Sequence, residues 1–183
     1  MKDSGAHDQG FLFEMTHDLP LPKHKPGMPL GEARALLGEQ AEDGVECPCC
    51  GQFAKVYKRK INSGMAWSLI WLVREHLETK DWVDVQKQAP RFVMANREMG
   101  KLIHWGLAVT KSHDGTRKKN SGLWRPTEKG IDFVFDEVTV PTRVHLYNNT
   151  VVGSDDELMS IRDALGDKFD YRELMSGMPA AFR

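Results

Sequence analysis

The densest apolar stretch of the chain, Met65 to Val73, is nine residues long. That is far short of the roughly eighteen apolar residues a membrane-spanning helix needs. Met65, Leu69, Leu72 and His76 recur at helical spacing, Ile70 and Val73 widen the apolar face, and Asn62 or Ser63 is suited to cap its start. The spacing predicts a core helix from Met65 to about Leu77, around which a chain of 183 residues can build a real core. The N-terminal residues, with Lys2, Asp3, His7 and Asp8, lack the basic-then-apolar layout of a signal peptide, so a cytoplasmic location without membrane association is expected.

Charge is unevenly spread. Residues 51–129 hold sixteen Lys and Arg against seven Asp and Glu. The flanks reverse this, with four against nine in residues 1–50 and five against ten in residues 130–183, so the total is only −1. A cationic middle of this size attracts polyanions, because Lys and Arg replace the counterions of phosphate. The alternative is that the acidic flanks fold back and neutralise it.

Residues 1–29 carry Pro20, Pro22, Pro26 and Pro29 without sustained periodicity and read as an extended or disordered arm. Residues 30–63 read as a helix from Leu30 to about Glu42, a cysteine cluster, and a basic strand from Phe53 to Ile61. Residues 64–138 follow with the core helix, a short Trp82 to Val85 segment and a brief helix near Gln86 to Ala89. A longer helix is expected from Pro90 to Trp105, with Phe92, Met99, Leu102 and Ile103 inward and Arg91, Asn96, Arg97 and Lys101 outward. Gly106 suits its left-handed cap. A strand from Leu107 to Lys111, a basic loop from Ser112 to Ser121 and a returning strand from Leu123 to Arg125 complete the pattern.

This order of helix, short strand, two helices and a hairpin with a charged loop resembles the winged helix-turn-helix domains of bacterial regulators, including the MarR-like and PadR-like groups. The resemblance covers roughly residues 64–136 and rests on Lys101 to Leu107, similar to the end of a recognition helix entering the wing, and on Gly122 to Gly130, similar to the second wing strand and its Thr-x-x-Gly step into a helix. It implies an α+β fold with a winged-helix core, an N-terminal cysteine knuckle and a C-terminal hairpin plus helix. The expected ligand is double-stranded DNA. Arg91, Asn96, Arg97 and Lys101 are the expected helix contacts, and Lys111, Arg117, Lys118 and Lys119 the wing contacts. A charged loop tip is equally what a merely solvated hairpin presents, and winged helices also serve as protein-interaction modules.

Residues 139–183 read as a hairpin, Arg143 to Tyr147 and Thr150 to Val152 about an Asn148-Asn149 turn, then an acidic helix from Asp155 to Leu165 started by a Ser154/Glu157 capping box. That helix is the one candidate homodimer interface.

Cys47-Pro48-Cys49-Cys50-Gly51 carries a C-x-x-C spacing that aims two thiolates at one ion and resembles half of a zinc ribbon. Structural zinc on Cys47, Cys50 and Cys49, with His76, His104 or His113 as a fourth ligand, stands beside a degenerate knuckle with free thiols. Redox chemistry is disfavoured by the lack of a strand-then-helix context. Trp67, Trp71, Trp82 and Trp105 read as packing residues. The chain has no phosphate-loop, Gly-x-Ser-x-Gly, His-Glu-x-x-His or dinucleotide signature, so an enzyme is not expected. The two functional expectations are a DNA-binding regulator and an adaptor or inhibitor of a transcription or DNA-processing complex, a type common among phage proteins.

Overall fold

The computed structural model describes residues 27–111 and 122–179. The chain forms an α+β structure of helices and small antiparallel sheets, in two compact units, residues 1–55 and 56–183. No described helix is long and apolar enough to cross a membrane.

In the first unit, α1 (Leu30–Gln40) begins after the extended Pro29 and buries Ala33, with Leu36 and Leu37 half-buried on the same side. A hairpin of two short strands follows, β1 (Val45–Glu46) paired with β2 (Phe53–Ala54). The strand expected from Phe53 to Ile61 is therefore not continuous. It stops at Ala54, and β3 (Tyr57–Lys60) belongs to the second unit. The two pieces satisfy their backbone groups in different sheets, which a single straight strand does not allow.

The second unit is built around α2 (Ser63–Thr79). Asn62 accepts a hydrogen bond from the Met65 amide at 2.9 Å, and Lys80 closes the helix in the left-handed conformation, φ +57°. Met65, Ala66, Leu69, Ile70, Leu72 and Val73 are all essentially inaccessible. A helix apolar on so much of its circumference must be covered on several sides. The cover is β6 (Leu123–Pro126), α5 (Glu128–Val134) and α6 (Ile161–Leu165), together with a 3-10 helix at Met99–Trp105.

Between α2 and β6 run β4 (Val83–Asp84), α3 (Val85–Gln88), α4 (Arg91–Asn96), the 3-10 helix and β5 (Ala108–Thr110). The three strands form an antiparallel sheet in the order β4-β6-β5, with Val83 opposite Trp124 and Thr110 opposite Trp124 on the other side. The long helix expected from Pro90 to Trp105 is split. Arg97 adopts φ +52°, and the chain resumes as a 3-10 helix. Its buried residues, Met99, Leu102 and Trp105, are spaced by three, and only a helix with three residues per turn stacks them on one face. Ile103 and Phe92, expected inward, are consequently 43% and 41% exposed.

The remaining strands are β7 (Val140–Pro141), β8 (Arg143–Tyr147), β9 (Thr150–Ser154) and β10 (Leu158–Met159). The hairpin β8-β9 turns at Asn148 and Asn149, both at positive φ, and β3 adds to its other side to give the order β3-β8-β9. The helix expected to start at Ser154 does not form there. Ser154 ends β9, and Leu158–Met159 pairs with Val140–Pro141. The capping box is Ser160 with Asp163 instead: the Asp163 carboxylate accepts from the Ser160 amide at 2.8 Å, and Ser160 Oγ accepts from the Asp163 amide at 3.2 Å. A last helix, α7 (Tyr171–Ser176), is capped by Asp170.

Candidate nucleic-acid interface

The eight residues expected to meet DNA separate into distinct environments. Arg91 on α4 is exposed, as is Arg97 at the break after it. Lys101 is held by Glu98 at 2.7 Å, so its charge is locally matched. Asn96 does not face solvent as expected. It is half-buried against Gly64 near the start of α2, and its Nδ2 is buried without a hydrogen-bond partner. The splitting of the long helix turns Asn96 onto α2 and removes it from the row of Arg91 and Arg97.

Lys111, just past β5, is exposed, and its amide donates to Leu123 O at 3.0 Å. Arg117, Lys118 and Lys119 lie outside the described residues, as does His113. β5 and β6 nonetheless run antiparallel up to Thr110 and Leu123, so the intervening segment joins two paired strands.

α4, which carries Arg91, also exposes apolar side chains. Met94 is 44% exposed and shares α4 with Phe92. The Phe92 ring meets Trp67 edge-on at 4.8 Å and Phe169 at 5.7 Å, so part of it is packed while the rest faces solvent.

Several polar residues beside this sheet were not singled out by the sequence. Arg125 on β6 stacks its guanidinium over Trp82 at 4.7 Å, and Lys129 on α5 donates to Trp105 O at 3.1 Å. With His76 and Gly106 they line a cleft of about 570 Å³. His76 is occupied, its Nδ1 lying 2.8 Å from Asp81 O. Burial, with a smaller contribution from Lys101, holds the His104 imidazole below its ordinary pKa. Arg125 and Lys129 lie within the Gly122 to Gly130 motif but were not expected to contact a ligand; the pairing of β6 with β4 brings Trp82 beside Arg125.

The cysteine turn joins β1 to β2. Cys47 N donates to Gln52 O at 2.8 Å, and Gly51 N donates to Cys47 O at 2.8 Å, closing the loop. The backbone amides of Cys50 and then Cys49, followed by the Cys50 side chain, hold the Cys47 thiol below its ordinary value. Partial desolvation, and then the neighbouring Cys47, push the Cys49 thiol up. Cys49 and Cys50 are exposed. The turn thus favours a thiolate at Cys47, the form that ligates a metal. Among the described residues, no three or more His, Cys, Asp or Glu side chains are grouped so as to hold a metal ion.

Comparison with family models, curated proteins and solved structures finds no match to this chain.

Proposed function

We propose that residues 64–136 form a winged helix-turn-helix that binds double-stranded DNA, and that the protein is a cytoplasmic transcriptional regulator. The observation that carries this reading is the β4-β6-β5 antiparallel sheet after α2, with α3 and α4 between β4 and β5 and the basic 111–122 segment joining β5 to β6. In that arrangement the segment carrying Arg117, Lys118 and Lys119 meets phosphate or the minor groove, and Arg91 and Arg97 flank the major groove. Lys111 contributes charge at the edge, whereas the Lys101 ammonium is already matched by Glu98. The broken helix with Asn96 withdrawn favours backbone contact over base readout.

The test is fluorescence anisotropy with a random 30-base-pair duplex at low and moderate salt. Micromolar binding that weakens steeply with salt, and falls in the Lys118→Ala, Lys119→Ala double variant, is the expected result. Absence of binding at low salt would mean that the acidic flanks neutralise the basic middle.

A second reading is favoured by one observation, the exposure of Phe92, Met94 and Ile103 around the split helix. Apolar side chains at this position suit a protein surface better than a DNA groove. In this reading the protein is an adaptor or inhibitor of a transcription or DNA-processing complex. A stoichiometric partner retained at high salt and lost with Phe92→Ser would favour it.

The cysteine turn supports a structural zinc site in part. Cys47 and Cys50 stand at C-x-x-C spacing, Cys49 lies between them in sequence, and a closed tetrahedral centre requires further ligands. Zinc bound to the purified protein and lost with Cys47→Ser is the expected outcome; a protein free of zinc with three titratable thiols would leave the turn a plain hairpin.

A further inference from the structure

The outward face of the β3-β8-β9 sheet is cationic in a way that edge protection does not account for. In the β3-β8 register Lys58 stands opposite His145 and Lys60 opposite Arg143, so all four point to the same side of the sheet. The opposite side of β8 carries Val144 and Leu146, which are buried in the core. Lys60 directly opposite Arg143 puts two like charges face to face, which destabilises a strand pair unless something else uses it. Lysines on β3 alone would serve to discourage pairing at an open edge. That purpose does not extend to β8, which is the central strand.

The internal counter-charge is limited. Asp155, following β9, takes Arg143 Nη1 at 2.9 Å and His145 Nε2 at 2.8 Å, so one carboxylate serves both. Lys58 and Lys60 form no ion pair among the described residues. The Asp163 carboxylate, which feels Lys60 electrostatically, is bonded to the amide and hydroxyl of Ser160. Lys58 and Lys60 are both exposed, and two residues of strand separate them by about 7 Å. Tyr147 lies at the end of the same face.

We propose that this face is a second phosphate-binding surface, at which Lys58 and Lys60, flanked by Arg143, engage the backbone of a polynucleotide. A repeating polyanion matches a row of cations on a flat sheet, and its phosphates add counter-charge for Lys58 and Lys60, whose side chains form no ion pair among the described residues. The inference shares with the preceding reading only the class of ligand, not the residues.

Salt-dependent anisotropy titrations of the full chain, with a 30-base-pair duplex and a 30-nucleotide single strand, test it. The variants are Lys58→Gln with Lys60→Gln, Lys118→Ala with Lys119→Ala, and Lys80→Gln with Arg172→Gln as an equal loss of charge elsewhere. Lys58, Lys60, Lys80 and Arg172 are exposed, and circular dichroism checks that each variant is folded. Losing two phosphate contacts should reduce the slope of log affinity against log salt by about 1.8 on duplex or about 1.4 on a single strand. The weakening should be the same for unrelated sequences, with no such change in the control. A slope and affinity equal to wild type in the sheet variant overturn the inference, even where the wing variant loses binding and the winged-helix reading survives. Loss in the sheet variant with none in the wing variant supports the sheet and removes the wing. Binding to anionic vesicles but to neither polynucleotide overturns both.

Discussion

Gly130 lies so close to the carbonyl of Leu107 that a β-carbon would collide with Leu107 O and C, both of them backbone atoms. Thr127, three residues earlier, accepts from the Gly130 amide at 3.0 Å and donates its hydroxyl to Gly106 O at 2.6 Å. Together they hold the start of α5 against the end of the 3-10 helix. Gly130→Ala should destabilise the protein by about 2 kcal/mol or more, measured by denaturant unfolding, because backbone must move to admit the methyl group. Asp155 gives a pH-dependent prediction. Its hydrogen bonds to His145 and then Arg143 hold its carboxyl below the usual value. The unfolded chain therefore binds this proton more readily, so the contribution is complete above the ordinary carboxylate pKa of about 4 and is lost as pH falls through the lower folded value. Asp155→Asn should be less stable than wild type at pH 7, with the difference shrinking below about pH 4; a gap that stays constant with pH would rule out the ion pair. Thr127 with Gly130 was legible in the sequence because cap and glycine lie within one helical turn. Asp155, expected as the first residue of the acidic helix, instead pairs with Arg143 and His145, 12 and 10 residues away across a turn whose register the sequence does not display.

Elements were legible where their determinants are local. The Asn62 cap, the apolar spacing of α2, and the Asn148-Asn149 turn all act within a few residues, and these elements appear as expected. Three elements were misassigned, the strand from Phe53 and two helices, and the helices were misassigned through competition between local alternatives. Ser154 to Glu157 and Ser160 to Asp163 both offer a serine with an acid three residues on. The second is used because Met159 and Ile161 must be buried, and β10 pairing with β7 draws Met159 inward before the helix begins. Ser160→Ala should therefore cost about 1 kcal/mol in stability, while Ser154→Ala should change it by less than about 0.5 kcal/mol. Equal effects in thermal or denaturant unfolding would refute this assignment. The helix from Pro90 was read with a period of 3.6, whereas burial of Met99, Leu102 and Trp105 requires a period of three. Both patterns lie in the same residues, and only the surface against which they pack selects one.

At the scale of the whole molecule, the core of the second unit runs without interruption from Ile61 to Met178. The Trp105 indole donates to Pro141 O at 2.8 Å, the Tyr171 hydroxyl to Val134 O at 2.9 Å, and Arg74 on α2 to Leu174 O at 2.6 Å. Removing residues 139–183 would strip Ile161, Leu165 and Met178 from this core, besides Val140 and Val144. The shortened chain should lose its near-ultraviolet circular dichroism and bind a hydrophobic dye; a cooperative unfolding transition in it would show the C-terminal segment to be dispensable. What the sequence by itself determined was the α+β character, the central helix, the cysteine turn and the basic middle, because composition, periodicity and turn chemistry act over short spans. Only the tertiary structure decided where the strand after Phe53 breaks, which serine caps α6, that Asn96 is withdrawn, and that Lys58, Lys60, Arg143 and His145 share one face. The reason is physical. Those outcomes depend on which distant strand supplies hydrogen bonds and which side chains win burial, and such long-range choices leave no local periodicity to read.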